Sequence, residues 1–93
     1  MAVRNAAYIG EDPDIAATRV FKALGDPRRY KIFCWLIEKG PRCGIVLAKE
    51  MGLRQPNVAQ HLNILLAAKL VTREPVGHQL VYRVRDMFVG KGA

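Results

Sequence analysis

The stretch that decides the fold runs from Gly52 to Val71, GLRQPNVAQHLNILLAAKLV. It reads as a tight turn followed by one amphipathic helix with two unlike faces. Val58, Leu62, Leu65, Leu66 and Lys69 recur at the i, i+3, i+4, i+7 spacing of a buried stripe. The other side carries Gln55, Asn57, Gln60, His61 and Asn63, an uncharged set of donors and acceptors. A face kept only for solubility would normally hold Lys and Glu in i,i+4 pairs. Side-chain amides suit base edges in the major groove, so this is either a solvated amide-rich face or a reading face.

Working outward, Ile45 to Met51 is a short helix ended by Gly52, and Leu53-Arg54 is a turn. Gln55 opens the next helix, with Pro56 in its first turn. Helix, short turn, helix is the helix-turn-helix arrangement, whose second member enters the major groove. Further back, Asp26-Pro27 starts a helix to about Lys39, with Tyr30, Phe33, Cys34, Leu36 and Ile37 as its buried stripe. Trp35 turns toward a neighbouring element, and Gly40-Pro41 closes the helix. Asp12-Pro13 is the same start signal for a first helix, with Ile15, Val20, Phe21 and Leu24 apolar and Gly25 at its end. Beyond Lys69 the period falls from 3.6 to 2, so Leu70–Glu74 and Gln79–Arg85 read as two strands around a turn at Gly77-His78. Pro75 would break a central strand, which makes this an edge hairpin.

The expected fold is mainly α with a small β-hairpin, a winged helix-turn-helix in the order α-α-α-α-β-β with a last helix nearly absent. Residues 1–11 read as an N-terminal arm, 12–85 as the domain and 86–93 as a short tail.

Charge points the same way. Fifteen Lys and Arg against eight Asp and Glu give a net +7. Residues 1–26 carry −1 and residues 27–93 carry +8, so the excess lies with the half that holds the amide-faced helix and the hairpin. A basic half of this kind suits a polyanion, nucleic acid ahead of an anionic membrane, although charge kept for solubility alone would look similar. No run approaches the ~20 apolar residues of a membrane span, and the N-terminus has no long apolar signal region, so a cytoplasmic protein is expected. Two cysteines, Cys34 and Cys43, are too few for a disulfide framework and suit a reducing compartment. With 51% apolar residues in 93, the core is thin, and pairing with a second copy would add to it.

At this point the residues resemble the ArsR/SmtB family of winged-helix repressors. FKALGDPRRYKIFCWL resembles the family's second-helix signature, and AKEMGLRQPNVAQHLNILLAAKLV its turn and recognition helix. Val81-Tyr82-Arg83-Val84 is similar to its second wing strand. The resemblance covers about residues 16–85 and implies a homodimer on double-stranded DNA at an inverted-repeat operator. In many members an inducer (a metal ion, metalloid or reactive thiol species) releases the DNA. By the same resemblance Gln55, Asn57, Gln60 and His61 match base- and backbone-reading positions. Asn57 and Gln60 can each pair two-pronged with adenine, about 1–3 kcal/mol of discrimination apiece. His61 suits a base edge, a phosphate or a neighbouring carbonyl equally. Arg54 and Ala59 depart from the family, which often has Ser or Thr at both positions, so no relative's operator can be copied. Phosphate contacts are expected from Lys49, Arg54, Arg73, His78 and Arg83, while Arg28 and Arg29 should serve the second helix and its partners.

The family's inducer sites are incomplete here. Its Cys-x-Cys site finds Cys43 followed by Ile45 at the second position, and one cysteine cannot supply the three or four ligands of a thiolate site. Its Asp-x-His site finds Asp86 with no histidine after it. No metal or other cofactor is therefore expected, and the inducer, if there is one, is unidentified. Cys34 matches a thiol-sensing position but sits on an apolar stripe, where cysteine acts as a small hydrophobe. Cys43, at a helix start, is the better candidate for a reactive thiol answering oxidant or arsenite, alone or paired with Cys34 nine residues back if their Cα atoms come within about 7 Å. The dimer is expected to use Ile15, Phe21, Met87 and Phe88, together with the arm. There is no phosphate loop, nucleophile elbow or carboxylate pair, so no enzyme is expected. A winged helix that binds protein instead of DNA is the remaining alternative; it would want an apolar face where the amides stand.

Overall fold

The computed structural model describes residues 12–85. The expected arm (1–11) and tail (86–93), with Met87 and Phe88, lie outside the described residues. Four helices come first in weight: α1 Pro13–Leu24, α2 Pro27–Lys39, α3 Gly44–Met51 and α4 Gln55–Ala67. Three strands complete the domain: β1 Arg42–Cys43, β2 Val71–Val76 and β3 Gln79–Val84. This is the expected winged helix-turn-helix with one addition. The hairpin is not alone, because β1 pairs antiparallel with β3, Arg42 opposite Tyr82 and Cys43 opposite Val81, giving the order β1-β3-β2. Two residues hold no hydrophobic period, so this strand leaves no sequence signal. Pro75 is tolerated because β2 is an edge strand, where it lies opposite Leu80.

The helix starts follow their local chemistry. The Asp12 carboxylate accepts from the Asp14 N–H at 2.8 Å, and that of Asp26 from the Arg28 and Arg29 N–H groups at 2.9 and 3.2 Å. Those backbone bonds, that from Arg29 first, hold the Asp26 carboxyl below the usual carboxylate range. The helix ends matter more for the site. Gly52 adopts φ 65° after α3, with its N–H on the Lys49 carbonyl and the Leu53 N–H reaching back to Ala48. That left-handed turn aims α4 across α3. Lys69 does the same after α4, at φ 61°, with its N–H on Leu66 and that of Leu70 on Leu65. Lys69 is therefore exposed and ends the helix; it does not continue the buried stripe. The helical spacing of Leu62 and Leu65 projects onto Lys69, but α4 ends at Ala67 and the chain has already reversed.

The core gathers Ala23, Ile32, Phe33, Leu36, Leu47, Val58, Leu62, Leu65, Leu70, Val71, Tyr82 and Val84. Val58, Leu62 and Leu65 are fully buried as expected, and Leu66 is half-buried against them. On α2 the phase differs from expectation. Ile32, Phe33 and Leu36 face inward, whereas Tyr30 and Ile37 are exposed. The run IFCWLI is apolar all round, so periodicity alone could not choose its inner side. Likewise α1 buries Ala23 and leaves Ile15 and Phe21 exposed.

Candidate nucleic-acid interface

The second helix of the helix-turn-helix shows its amides to solvent. Gln55, Asn57, Gln60 and Asn63 are all exposed, while Val58, Leu62 and Leu65 anchor the opposite side in the core. Only three residues, Gly52 to Arg54, separate α3 from α4. Arg54 occupies the N-cap without a side-chain cap bond, so its cation is exposed and not folded onto its own helix. Ala59 is exposed beside Gln55.

The wing meets α4 at its N-terminal end. Gln55, Ala59 and Leu62 of α4, Gly44 and Ile45 of α3, and His78, Gln79, Leu80 and Tyr82 of the wing line one cleft of about 400 Å³. His78 and the first residue of α4 thus share a concavity. The wing cations do not form one patch. Arg73 lies opposite Tyr82, on the sheet face turned to the helices, whereas Arg83 lies opposite Thr72 on the outer face. Arg83 is also engaged: its Nη2 is 3.0 Å from the Glu74 carboxylate. Lys49 and Arg73 are exposed.

His61 stands apart from the other reading candidates. It is half-buried, with Nδ1 3.4 Å from an Arg29 guanidinium nitrogen. Arg29 also donates from Nε to the Ala23 carbonyl at 2.7 Å and from Nη2 to the Lys22 carbonyl at 3.3 Å. One side chain therefore joins the end of α1, the start of α2 and the flank of α4. The contact spans 32 residues of sequence, and no local spacing signals it.

A second cluster fastens α3. Trp35 Nε1 donates to the Glu50 carboxylate at 2.7 Å, and Arg42 Nε lies 3.1 Å from the same group. The Trp35 bond foremost, then Arg42, lowers the Glu50 pKa. Lys39 sits 5.2 Å above the Trp35 ring. Because Arg42 belongs to β1, this cluster ties α2 and α3 to the sheet.

Both cysteines are free and half-buried, Cys34 on α2 and Cys43 at the N-cap of α3. A side-chain hydrogen bond in which the Tyr30 hydroxyl donates to Cys34 raises the Tyr30 pKa. Among the described residues no three His, Cys, Asp or Glu side chains gather as a metal site, and no helix is long and apolar enough to cross a membrane. Ile15 and Phe21 are 51% and 75% exposed, but six residues along a helix turns them roughly 120° apart. They flank α1 on different sides.

A helix-turn-helix with exposed amides beside a basic three-stranded wing defines the winged-helix class of DNA-binding regulators. Comparison with known proteins agrees: the family described as "Bacterial regulatory protein, arsR family" matches residues 26–73. The chain belongs to the arsR family. It is 37% identical over 70 residues to an uncharacterized HTH-type transcriptional regulator of Methanocaldococcus jannaschii, covering 75% of this chain and 79% of that one. It is 41% identical over 71 residues to the HTH-type transcriptional repressor SmtB of Mycobacterium tuberculosis, covering 76% of this chain and 52% of the repressor. The chain thus spans only about half the length of that relative. Among solved structures, the homodimeric winged helix-turn-helix DNA-binding domain of a possible ArsR-family regulator from Mycobacterium bovis superposes with a TM-score of 0.72 at 26% identity, over 83% of this chain and 75% of the other.

Proposed function

We propose that this chain is a cytoplasmic, non-enzymatic transcriptional repressor that binds an inverted-repeat operator as a homodimer. The observation that carries the reading is the solvent-facing row Gln55, Asn57, Gln60 on a helix whose other side is locked into the core. Amides that are held rigidly but left without partners among the described residues are suited to adenine edges, and the core-locked helix fixes where they point. Arg54, Lys49, Arg73 and His78 would grip phosphates on either side, with Arg83 joining if it gives up Glu74. The repressor name of the M. tuberculosis relative and the homodimeric state of the M. bovis domain support the same reading. Exposed Phe21 on α1 is the first candidate for the contact between copies. The exposed amide row also speaks against a protein-binding winged helix, which would show apolar side chains there.

Selection of bound sequences from random DNA tests the proposal. It should return an inverted repeat whose half-sites are about one helical turn, 10–10.5 bp, apart or a multiple of that. Recovery of single half-sites alone would remove the dimer, and recovery of unrelated sequences would remove sequence-specific binding.

A further inference from the structure

The contact between Arg29 and His61 constrains what the reading helix can offer at that position. A guanidinium keeps its proton in proteins and has only N–H donors. With Arg29 Nη1 3.4 Å from His61 Nδ1, the ring nitrogen is the acceptor. An imidazole that accepts at Nδ1 carries its proton on Nε2. The arginine cannot easily turn away, because its Nε and Nη2 are committed to the Ala23 and Lys22 carbonyls. Asp26 reinforces the arrangement: its carboxylate accepts from the Arg29 backbone N–H and caps the helix that carries the guanidinium.

The other end of the ring is open. No described side-chain nitrogen or oxygen is both buried and unpartnered, and among the described residues Nε2 has no hydrogen-bond partner. It therefore reaches solvent. His61 lies one turn along α4 from Asn57, on the rim of the exposed amide face.

We propose that Arg29 fixes His61 as the Nε2–H tautomer, so that α4 presents there a single outward donor for an acceptor atom of the duplex. This rests on the DNA-binding reading. It deepens that reading by dividing the polar face: Gln55, Asn57 and Gln60 can donate and accept, whereas His61 can only donate. A lone donor matches a phosphate oxygen, guanine O6 or N7, adenine N7 or thymine O4, and does not match the exocyclic amines of cytosine and adenine. Arg29 is the positioning residue, acting on DNA only through the imidazole.

Nitrogen-15 NMR of the full chain reads the tautomer directly. The sequence has two histidines, and His78→Gln assigns the other signal. His61 should show a proton on Nε2 and none on Nδ1; a proton on Nδ1 overturns the proposal. Two substitutions then separate the ends of the ring. His61→Asn keeps an acceptor near the Nδ1 position and loses the outward donor. His61→Gln keeps an amide donor near Nε2 and gives up the acceptor facing Arg29. On the selected duplex, His61→Asn should bind about tenfold more weakly, and His61→Gln, which restores an outward donor, should recover part of that loss. Equal losses in the two variants contradict the inference. A loss of the same size on every duplex identifies a phosphate acceptor, and a loss confined to one base position identifies a base edge; both uphold the donor. If the parent chain prefers no sequence at all, the DNA reading itself falls, while the NMR result still decides the tautomer.

Discussion

The exposed side of α4 carries uncharged amides, whereas the exposed sides of α1 and α2 carry large apolar side chains among their charges. On α4 the solvent meets Gln55, Asn57, Gln60 and Asn63. On α1 and α2 it meets Ile15, Phe21, Tyr30 and Ile37, with Phe21 75% exposed. Amides lose little by standing in water and gain by meeting hydrogen-bonding edges. A phenylalanine in that position gives up roughly 2 kcal/mol of burial. One chain that keeps both faces is suited to two partners of different chemistry, a polar duplex on one side and an apolar protein surface on the other.

The largest effect should come from beneath both faces. Leu62 is fully buried under the amide row. Leu62→Ala should cost about 2–5 kcal/mol of unfolding free energy in denaturant titrations. DNA binding and self-association should then fail together, since both surfaces ride on that core.

Phe21→Asp separates the faces. If Phe21 is buried between copies, the dimer should weaken by about 2 kcal/mol or more, about thirtyfold in dissociation constant by sedimentation. Thermal stability of the isolated chain should hardly move, because Phe21 contributes little to the core. An unchanged dimer constant would place the contact elsewhere.

Acid should act on the scaffold through two carboxylates. The pKa values of Asp26 and Glu50 are both lowered, Asp26 chiefly by the Arg29 backbone N–H and Glu50 chiefly by Trp35. A carboxylate whose folded pKa is depressed stabilises above its unfolded value, and that contribution is lost as pH falls through the folded one. The melting temperature should be level from neutral to about pH 5 and decline below about pH 4. Trp35, the single tryptophan, reports the same loss, because its indole N–H is bonded to Glu50. A fluorescence change confined to that acid range is the expected signal. A change centred near neutrality would point to another group.

A smaller gain is expected at Lys69. Its left-handed backbone is a strain that glycine avoids, so Lys69→Gly should add about 1 kcal/mol of stability in denaturant titrations while leaving both faces intact. No gain would mean that the turn holds lysine without strain.

Much of this was legible in the sequence because it is local. Asp-Pro pairs start α1 and α2, Gly52 turns α3 into α4, and the fall to a period of two marks the wing. The amide row was legible for the same reason: its buried counterpart, Val58, Leu62 and Leu65, has a clean helical spacing. What the sequence hid is non-local. The strand Arg42–Cys43 exists only because β3 lies beside it. The outward turn of Ile37 is hidden because every side of α2 is apolar over IFCWLI. The split of Arg73 and Arg83 onto opposite faces needs the strand register, and Arg83 with Glu74 needs the cross-strand diagonal. The link from Arg29 to His61 requires the packing of three helices.

The most direct measurement is the ratio of affinities for the selected operator and a scrambled duplex, taken for the parent and for the Asn57→Ala, Gln60→Ala double variant. Two bidentate amide contacts of about 1–3 kcal/mol each should vanish, so the ratio should fall by about thirtyfold or more while affinity for the scrambled duplex stays the same. A double variant that kept the parent's ratio would contradict the claim that this face of α4 reads the DNA.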